Sequence, residues 1–338
     1  MKTIYNILFI NGRLYYPNPF ITTLARGIES DCYRTELGVE SFWEMKNEYD
    51  IIHINWPELF FDKEPLSENG LSKLSHTLKK WKQKGAKIVF TRHDEKTHYL
   101  PDKNYLKLFQ IMETETDGIA HLGQYSKDCF MQKYPSSKQI HRVIPHHTYD
   151  TLYTNNISKR DARKVLNIPL NKVVIMAFGS FRHEEEYVLV KDCFQNICLS
   201  NKFLLVPSWN YMNDYHMKDC YLGRGIVDED MLPYCFAACD IVFIQRLRLL
   251  NSGNIPMAFL FNKTVVGPNI GNIGEGLDNV NNFSFDPFQK ESINKAMCMA
   301  VERLYKGKQV NEEFAHENLK TSLICDKYRS LYQSLIHS

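Results

Sequence analysis

Short apolar runs recur along this chain at helix-sized intervals, and this alternation constrains its fold more than any other feature. They lie at residues 4–10, 49–55, 86–90, 117–121, 139–144, 173–178, 203–206, 221–226, 240–244 and 264–266. Runs this short and rich in Val, Ile and Phe suit strands buried on both faces. Parallel neighbours also need crossovers long enough to hold a helix. The intervals supply helical faces: Phe20, Leu24 and Ile28 form one, and Leu71, Leu74, Leu78 and Trp81 another, with Gly85 placed to end it. Further helices are expected over 158–166, after Asp228, over 290–304 and over 312–336, the last presenting Leu319, Leu323, Tyr328, Leu331 and Leu335.

A chain of 338 residues suits two domains, each able to bury its own core. The expected fold class is α/β, with two Rossmann-like domains and a cleft between them. The boundaries fall at 1–150 for the first domain and 151–170 for a polar linker. The second domain takes 171–310, and 311–338 forms a C-terminal helix returning to the first. The 41 basic and 39 acidic residues leave +2, which offers no global field for nucleic acid. Nine cysteines without framework spacing read as reduced thiols, which points to a cytoplasmic protein. The first apolar run is too short for a signal h-region, and none approaches the roughly 20 residues of a membrane span.

In open α/β sheets ligands gather at the carboxyl ends of strands, and several of these ends carry chemistry. Gly12 follows the first run and lets backbone approach a ligand closely. Asn55, Trp56 and Glu58 follow the run at 49–55, as candidates for acceptor recognition. Arg92, His93, Asp94, Glu95 and His98 follow the run at 86–90, a cluster that must line a cleft or find partners. In the second half, Gly179-Ser180-Phe181-Arg182 pairs an open backbone with a fork-shaped phosphate donor. Arg246 and Arg248 stand after the run at 240–244, where a basic side chain suits a phosphate or anionic sugar. In the stretch 251–277, Ser252-Gly253 can cap a helix, Thr264–Val266 reads as a strand, and a glycine-rich loop delivers Glu275.

These motifs, in this order, resemble GT-B glycosyltransferases related to family 4 and bacterial exopolysaccharide and capsule glycosyltransferases. Asn55-Trp56-Pro57-Glu58 and Thr91-Arg92-His93-Asp94 resemble the acceptor domain, and Ile144-Pro145-His146 its exit. Phe178-Gly179-x-x-Arg182 and residues 251–277 resemble the donor site. The resemblance implies transfer of a hexose from a nucleotide-diphosphate sugar to a glycan or lipid-linked saccharide in cell-surface polysaccharide assembly. It implies catalytic roles for His93, Asp94 and Glu275, and donor binding by Gly12, Gly179, Ser180, Arg182, Gly223, Arg224, Arg246, Ser252, Gly253 and Asn254. Asn55, Trp56, Glu58 and His98 would meet the acceptor.

Two departures stand out. Glu184-Glu185-Glu186 occupies the place of an expected phosphate-binding lysine, and Met257 that of an expected glutamate. The resemblance implies retention of anomeric configuration, with the donor diphosphate assisting deprotonation; inversion with Asp94 or Glu58 as base stays open. Neither a metal nor a cofactor beyond the donor is expected. The rival readings are a non-catalytic sugar-nucleotide or glycan-binding protein and a sugar-nucleotide epimerase. Lysines 73, 79, 80, 82, 84 and 87 read as a solvated face, with peripheral contact to the inner membrane as the alternative.

Overall fold

The structure is a computed structural model; it describes residues 3–12, 18–61, 66–95, 103–210, 217–278, 282–307 and 310–338. His98 lies outside them. Two parallel six-stranded sheets form, in two compact units: residues 1–147 with 321–338, and residues 148–320.

In unit 1 the strands are β1 (Tyr5–Phe9), β2 (Tyr33–Leu37), β3 (Ile51–Ile54), β4 (Lys87–Arg92), β5 (Gly118–His121) and β6 (Ile140–Val143). Their order is β2-β1-β3-β4-β5-β6, every pair parallel. The chain runs outward from β1 to β2, then returns to the other side at β3. The topological switch point therefore lies between β1 and β3. Helix α1 (Pro19–Ile28) is N-capped by Asn18, whose Oδ1 accepts from the Phe20 N–H at 2.9 Å. The remaining helices before the chain leaves unit 1 are α2 (Glu40–Glu44), α3 (Glu68–Gln83), α4 (Lys103–Glu115) and α5 (Gln124–Lys133). Helix α3 buries the expected stripe of Leu71, Leu74, Leu78 and Trp81. Among its lysines, Lys82 pairs with Asp117 at 2.9 Å and Lys84 donates to the Met45 carbonyl at 3.1 Å.

Unit 2 holds α6 (Lys159–Val165), β7 (Val173–Met176), α7 (Glu184–Asn196), β8 (Lys202–Trp209), β9 (Cys220–Arg224), α8 (Leu232–Ala238) and β10 (Ile241–Phe243). It continues through α9 (Asn254–Leu260), β11 (Thr264–Pro268), α10 (Gly271–Gly276), β12 (Phe283–Phe285), α11 (Lys290–Lys306) and α12 (Asn311–Asn318). The strand order is β12-β11-β10-β7-β8-β9, again all parallel. This is the dinucleotide-binding order, with its switch point between β7 and β10. Residues 151–170, expected as a linker, are anchored in this unit. Arg163, 1% exposed, donates to the carbonyls of Ala238, Leu170 and Lys172 and pairs with Asp240 at 2.7 Å. Asp240 in turn accepts from the Val174 N–H at 2.7 Å, tying α6 to two strands.

The helix expected over 312–336 is two helices. It breaks at 319–320, where Leu319 packs into the core of unit 2. Helix α13 (Thr321–Ile336) then belongs to unit 1, packed on α1 and β6. Arg329 of α13 donates to the carbonyls of Gly27 and Ile28 at the end of α1, at 2.5 and 3.2 Å. A Cβ on Gly27 would lie 2.5 Å from the Cys325 sulfur, so the two helices meet at the distance glycine allows.

Candidate functional site

Each switch point carries a cluster. In unit 1, Asn11 and Gly12 leave β1, Asn55 and Trp56 leave β3, and His93 and Asp94 leave β4. Phe20 of α1 is the hub, and the reading from sequence did not single out its role. Its ring packs edge-on to His93 at 4.7 Å and to His146 at 4.6 Å, and stacks on His147 at 4.8 Å. Trp56 stacks on His93, with centroids 4.1 Å apart, and meets the Phe20 ring edge-on at 6.1 Å. His93 Nε2–H donates to Asn55 Oδ1 at 3.1 Å, which sets its tautomer. His146 Nδ1–H donates to the His147 carbonyl at 2.8 Å, and His147 Nε2–H to the Phe20 carbonyl at 3.3 Å. Burial, with His146, His53 and His147 nearby, holds the His93 pKa well below its usual value; burial takes His146 down to about 4. His93 and His146 are therefore neutral at pH 7 and act as hydrogen-bonding rings, not cations.

Asp94 is buried beside His93, and Glu58 is half-buried in a short 3-10 turn, Pro57–Phe61. His53 and Thr91, part of the same motifs, point elsewhere. His53 joins the Tyr332 hydroxyl at 2.6 Å and the Thr91 hydroxyl at 2.7 Å, and Thr91 joins Tyr328 at 3.0 Å. They fasten α13 to the sheet, and burial lowers the His53 pKa to about 3.

In unit 2 the turn after β7 is held from several sides. Gln245 Nε2 donates to the carbonyls of Phe178 and Gly179, both at 3.1 Å, and Asn254 Nδ2 to that of Phe178 at 3.1 Å. Arg246 Nη1 donates to the Ser180 carbonyl at 2.9 Å and pairs with Glu186 at 2.6 Å. Glu186, 2% exposed, also accepts from the Arg182 N–H at 3.0 Å. Gly179 adopts φ +92°, and a Cβ there would lie 2.9 Å from Arg246 Nη2. Ser180 and Arg182 are exposed.

The acidic run therefore has a structural role. Its three carboxylates form the first turn of α7, where they complement the helix dipole; Glu186 fixes Arg246, and Glu185 meets Arg248 at 3.0 Å in the open. Met257 is 5% exposed and belongs to the apolar core.

Other expected site residues are placed differently. Gly223 lies in β9, where a Cβ would come within 2.1 Å of the Pro207 carbonyl oxygen; strand packing demands this glycine. Arg224 ends that strand, exposed. Ser252 does not cap α9, for the cap is Gly253 and no side chain bonds the first turn. The expected glycine loop is partly strand, to Pro268, and partly α10, which carries Glu275 on an exposed turn. Gly271 at φ +49° permits that turn, since a Cβ would lie 2.8 Å from the Leu250 carbonyl. Among the described residues no group of three His, Cys, Asp or Glu side chains is arranged for a metal ion.

No family model matches the chain, and no curated protein matches its sequence. Its fold is that of known structures. Sucrose-phosphate synthase of Thermosynechococcus elongatus superposes with a TM-score of 0.73 at 12% identity, covering 98% of this chain and 99% of that one. HepE of Anabaena, in complex with UDP-glucose, gives 0.72 at 15% identity over 98% and 100% of the chains. A glycosyltransferase of Rickettsia africae gives 0.68 at 13% over 98% and 99%. The chain has the two-domain GT-B fold of those glycosyltransferases.

Proposed function

We propose that this protein is a glycosyltransferase that moves a hexose from a nucleotide-diphosphate sugar to a glycan or lipid-linked saccharide of cell-surface polysaccharide. Unit 2 would take the donor and unit 1 the acceptor, with His93 and Asp94 at the reacting sugar and Asn55, Trp56 and Glu58 on the acceptor. The carrying observation is the turn Gly179–Arg182, held open at the switch point of a dinucleotide-type sheet with Arg182 exposed beside it. HepE of the same fold was crystallised with UDP-glucose, and starch synthase IV of Arabidopsis with ADP and acarbose, which supports a nucleotide-sugar donor.

The mechanism follows from the side chains present. Arg182 and the turn's N–H groups would stabilise the leaving diphosphate, whose charge grows in the transition state. Retention, assisted by that diphosphate, is the favoured course, since Met257 lies in the core and offers no nucleophile. No metal and no cofactor beyond the donor is part of the proposal, and the site of action is the cytoplasm. With a panel of nucleotide sugars and saccharide acceptors, nucleoside diphosphate release should depend on acceptor and survive a chelator. Arg182→Ala should weaken donor binding about tenfold, the loss of one charge-assisted contact. Acceptor-independent interconversion of free sugar nucleotides would instead establish an epimerase. That second reading draws on the likeness to a putative UDP-N-acetylglucosamine 2-epimerase of Listeria monocytogenes, TM-score 0.62 at 10% identity. Tight donor binding with neither reaction would make the protein a non-catalytic binder.

A further inference from the structure

The side chains behind the turn after β7 outnumber what its fold alone requires. Three consecutive carbonyls, those of Phe178, Gly179 and Ser180, accept from side chains of the segment that follows β10. No peptide bond in the described chain is cis, so each C=O points opposite to the N–H of the next residue. Drawing the carbonyls of Phe178 and Gly179 toward Gln245 therefore turns the N–H groups of Gly179 and Ser180 the other way. Neither N–H has an acceptor among the described residues. Paired outward N–H groups next to a left-handed glycine form an anion-binding concavity, and the exposed Arg182 follows two residues on.

The amide of Gln245 is fully buried, and its Oε1 has no hydrogen-bond partner. A side chain selected for packing alone would not leave a buried acceptor unmet, so the amide is present for its donors. The buried pair Arg246–Glu186 acts on the same turn from its far end. Arg246 holds the Ser180 carbonyl, and Glu186 holds both Arg246 and the Arg182 N–H.

We propose that Gln245 and the Arg246–Glu186 pair are positioning residues: they preset the turn to receive a diphosphate that they do not touch. The inference rests on the donor reading of unit 2 and assigns the acidic run a part in it. Glu186, the last carboxylate of the run that stands in place of the expected lysine, is turned inward, where it orients an arginine and leaves the phosphate contacts to backbone and Arg182.

The test compares Gln245→Ala and the neutral double variant Glu186→Gln/Arg246→Met, which leaves no buried charge unpaired, with the parent protein. Near-ultraviolet dichroism and the melting temperature establish that each variant folds. Calorimetry with UDP, ADP and GDP, with uridine, adenosine and guanosine, and with inorganic pyrophosphate then reads the diphosphate separately from the nucleoside. The variants should bind the preferred nucleoside diphosphate and pyrophosphate about tenfold or more weakly, and the nucleoside within about twofold of the parent. Equal weakening for nucleoside and nucleoside diphosphate would reduce these residues to general structural support and overturn the proposal, as would no weakening at all. A parent that binds pyrophosphate but no nucleoside or its diphosphate would sink the donor reading, while the pyrophosphate comparison still decides this one. A parent that binds none of the probes overturns both.

Discussion

The two switch points sit at equivalent places in similar sheets, yet they are made of opposite materials. In unit 1, rings close around Phe20; His93 and His146 are neutral, and His93, His146 and His147 each bond a carbonyl oxygen. In unit 2, a backbone turn is held by amides and one ion pair. Stacked rings with fixed neutral donors suit the faces and hydroxyls of a saccharide, on the proposed reading. A glycine turn with an exposed arginine suits a concentrated negative charge. Two doubly wound parallel sheets thus host two chemistries, because strand ends fix only where a site lies.

The same contrast extends to stability, and acid should break it most strongly. Burial lowers the pKa of both His53 and His121 to about 3, so each is neutral in the folded state and protonated in the unfolded state between about pH 6.5 and 3. Their contribution is complete above the unfolded value and lost as the pH falls. Each should cost unit 1 about 1.4 kcal/mol per pH unit across that window. Unit 2 has no buried histidine among its described residues and lacks this source of acid sensitivity. Three of the four tryptophans, Trp43, Trp56 and Trp81, lie in unit 1 and only Trp209 in unit 2. Fluorescence of a Trp209→Phe variant should therefore show unit 1 weakening from about pH 6.5 downward. A flat denaturation midpoint between pH 7 and 4.5 would contradict it.

The next largest effect belongs to unit 2. Arg163→Ala strips a buried carboxylate, Asp240, of its fork and leaves three carbonyls without that donor, at about 3–5 kcal/mol. Urea unfolding followed by Trp209 should shift by that amount, with the unit 1 signal unmoved if the two units unfold independently. The smallest is Tyr332→Phe, which removes the hydroxyl at His53 Nδ1 and should weaken unit 1 by about 1–3 kcal/mol. A value near zero would mean that α13 is held by its apolar face alone.

Legibility in the sequence followed burial. The strands read from apolar runs form, including β1, β3, β4 and β7. The two missed, β2 and β12, lie at sheet edges, where one flank is unpaired and the side chains are only partly buried. Helix α7 was hidden for a related reason, since its opening turn is acidic and reads as a charge run. At the candidate sites, strand-end residues such as His93, Asn55 and Gly179 could be named from their place in the alternation. The roles of Phe20 and Glu186 could not, because Phe20 reads locally as an ordinary helix residue and Glu186 as one of a charge run, and each role depends on a strand far away in sequence.

The sequence by itself determined the alternation, the parallel sheets and the strand ends where chemistry collects, because apolar period and glycine placement act locally. Only the tertiary structure decided which side chains serve structure and which remain available. His53 is taken up by α13, Gly223 by β8 and Met257 by the core, while Glu186 is turned inward to Arg246. The physical reason is that a polar side chain's role depends on the partner that satisfies it once water is excluded, and those partners come from distant parts of the chain.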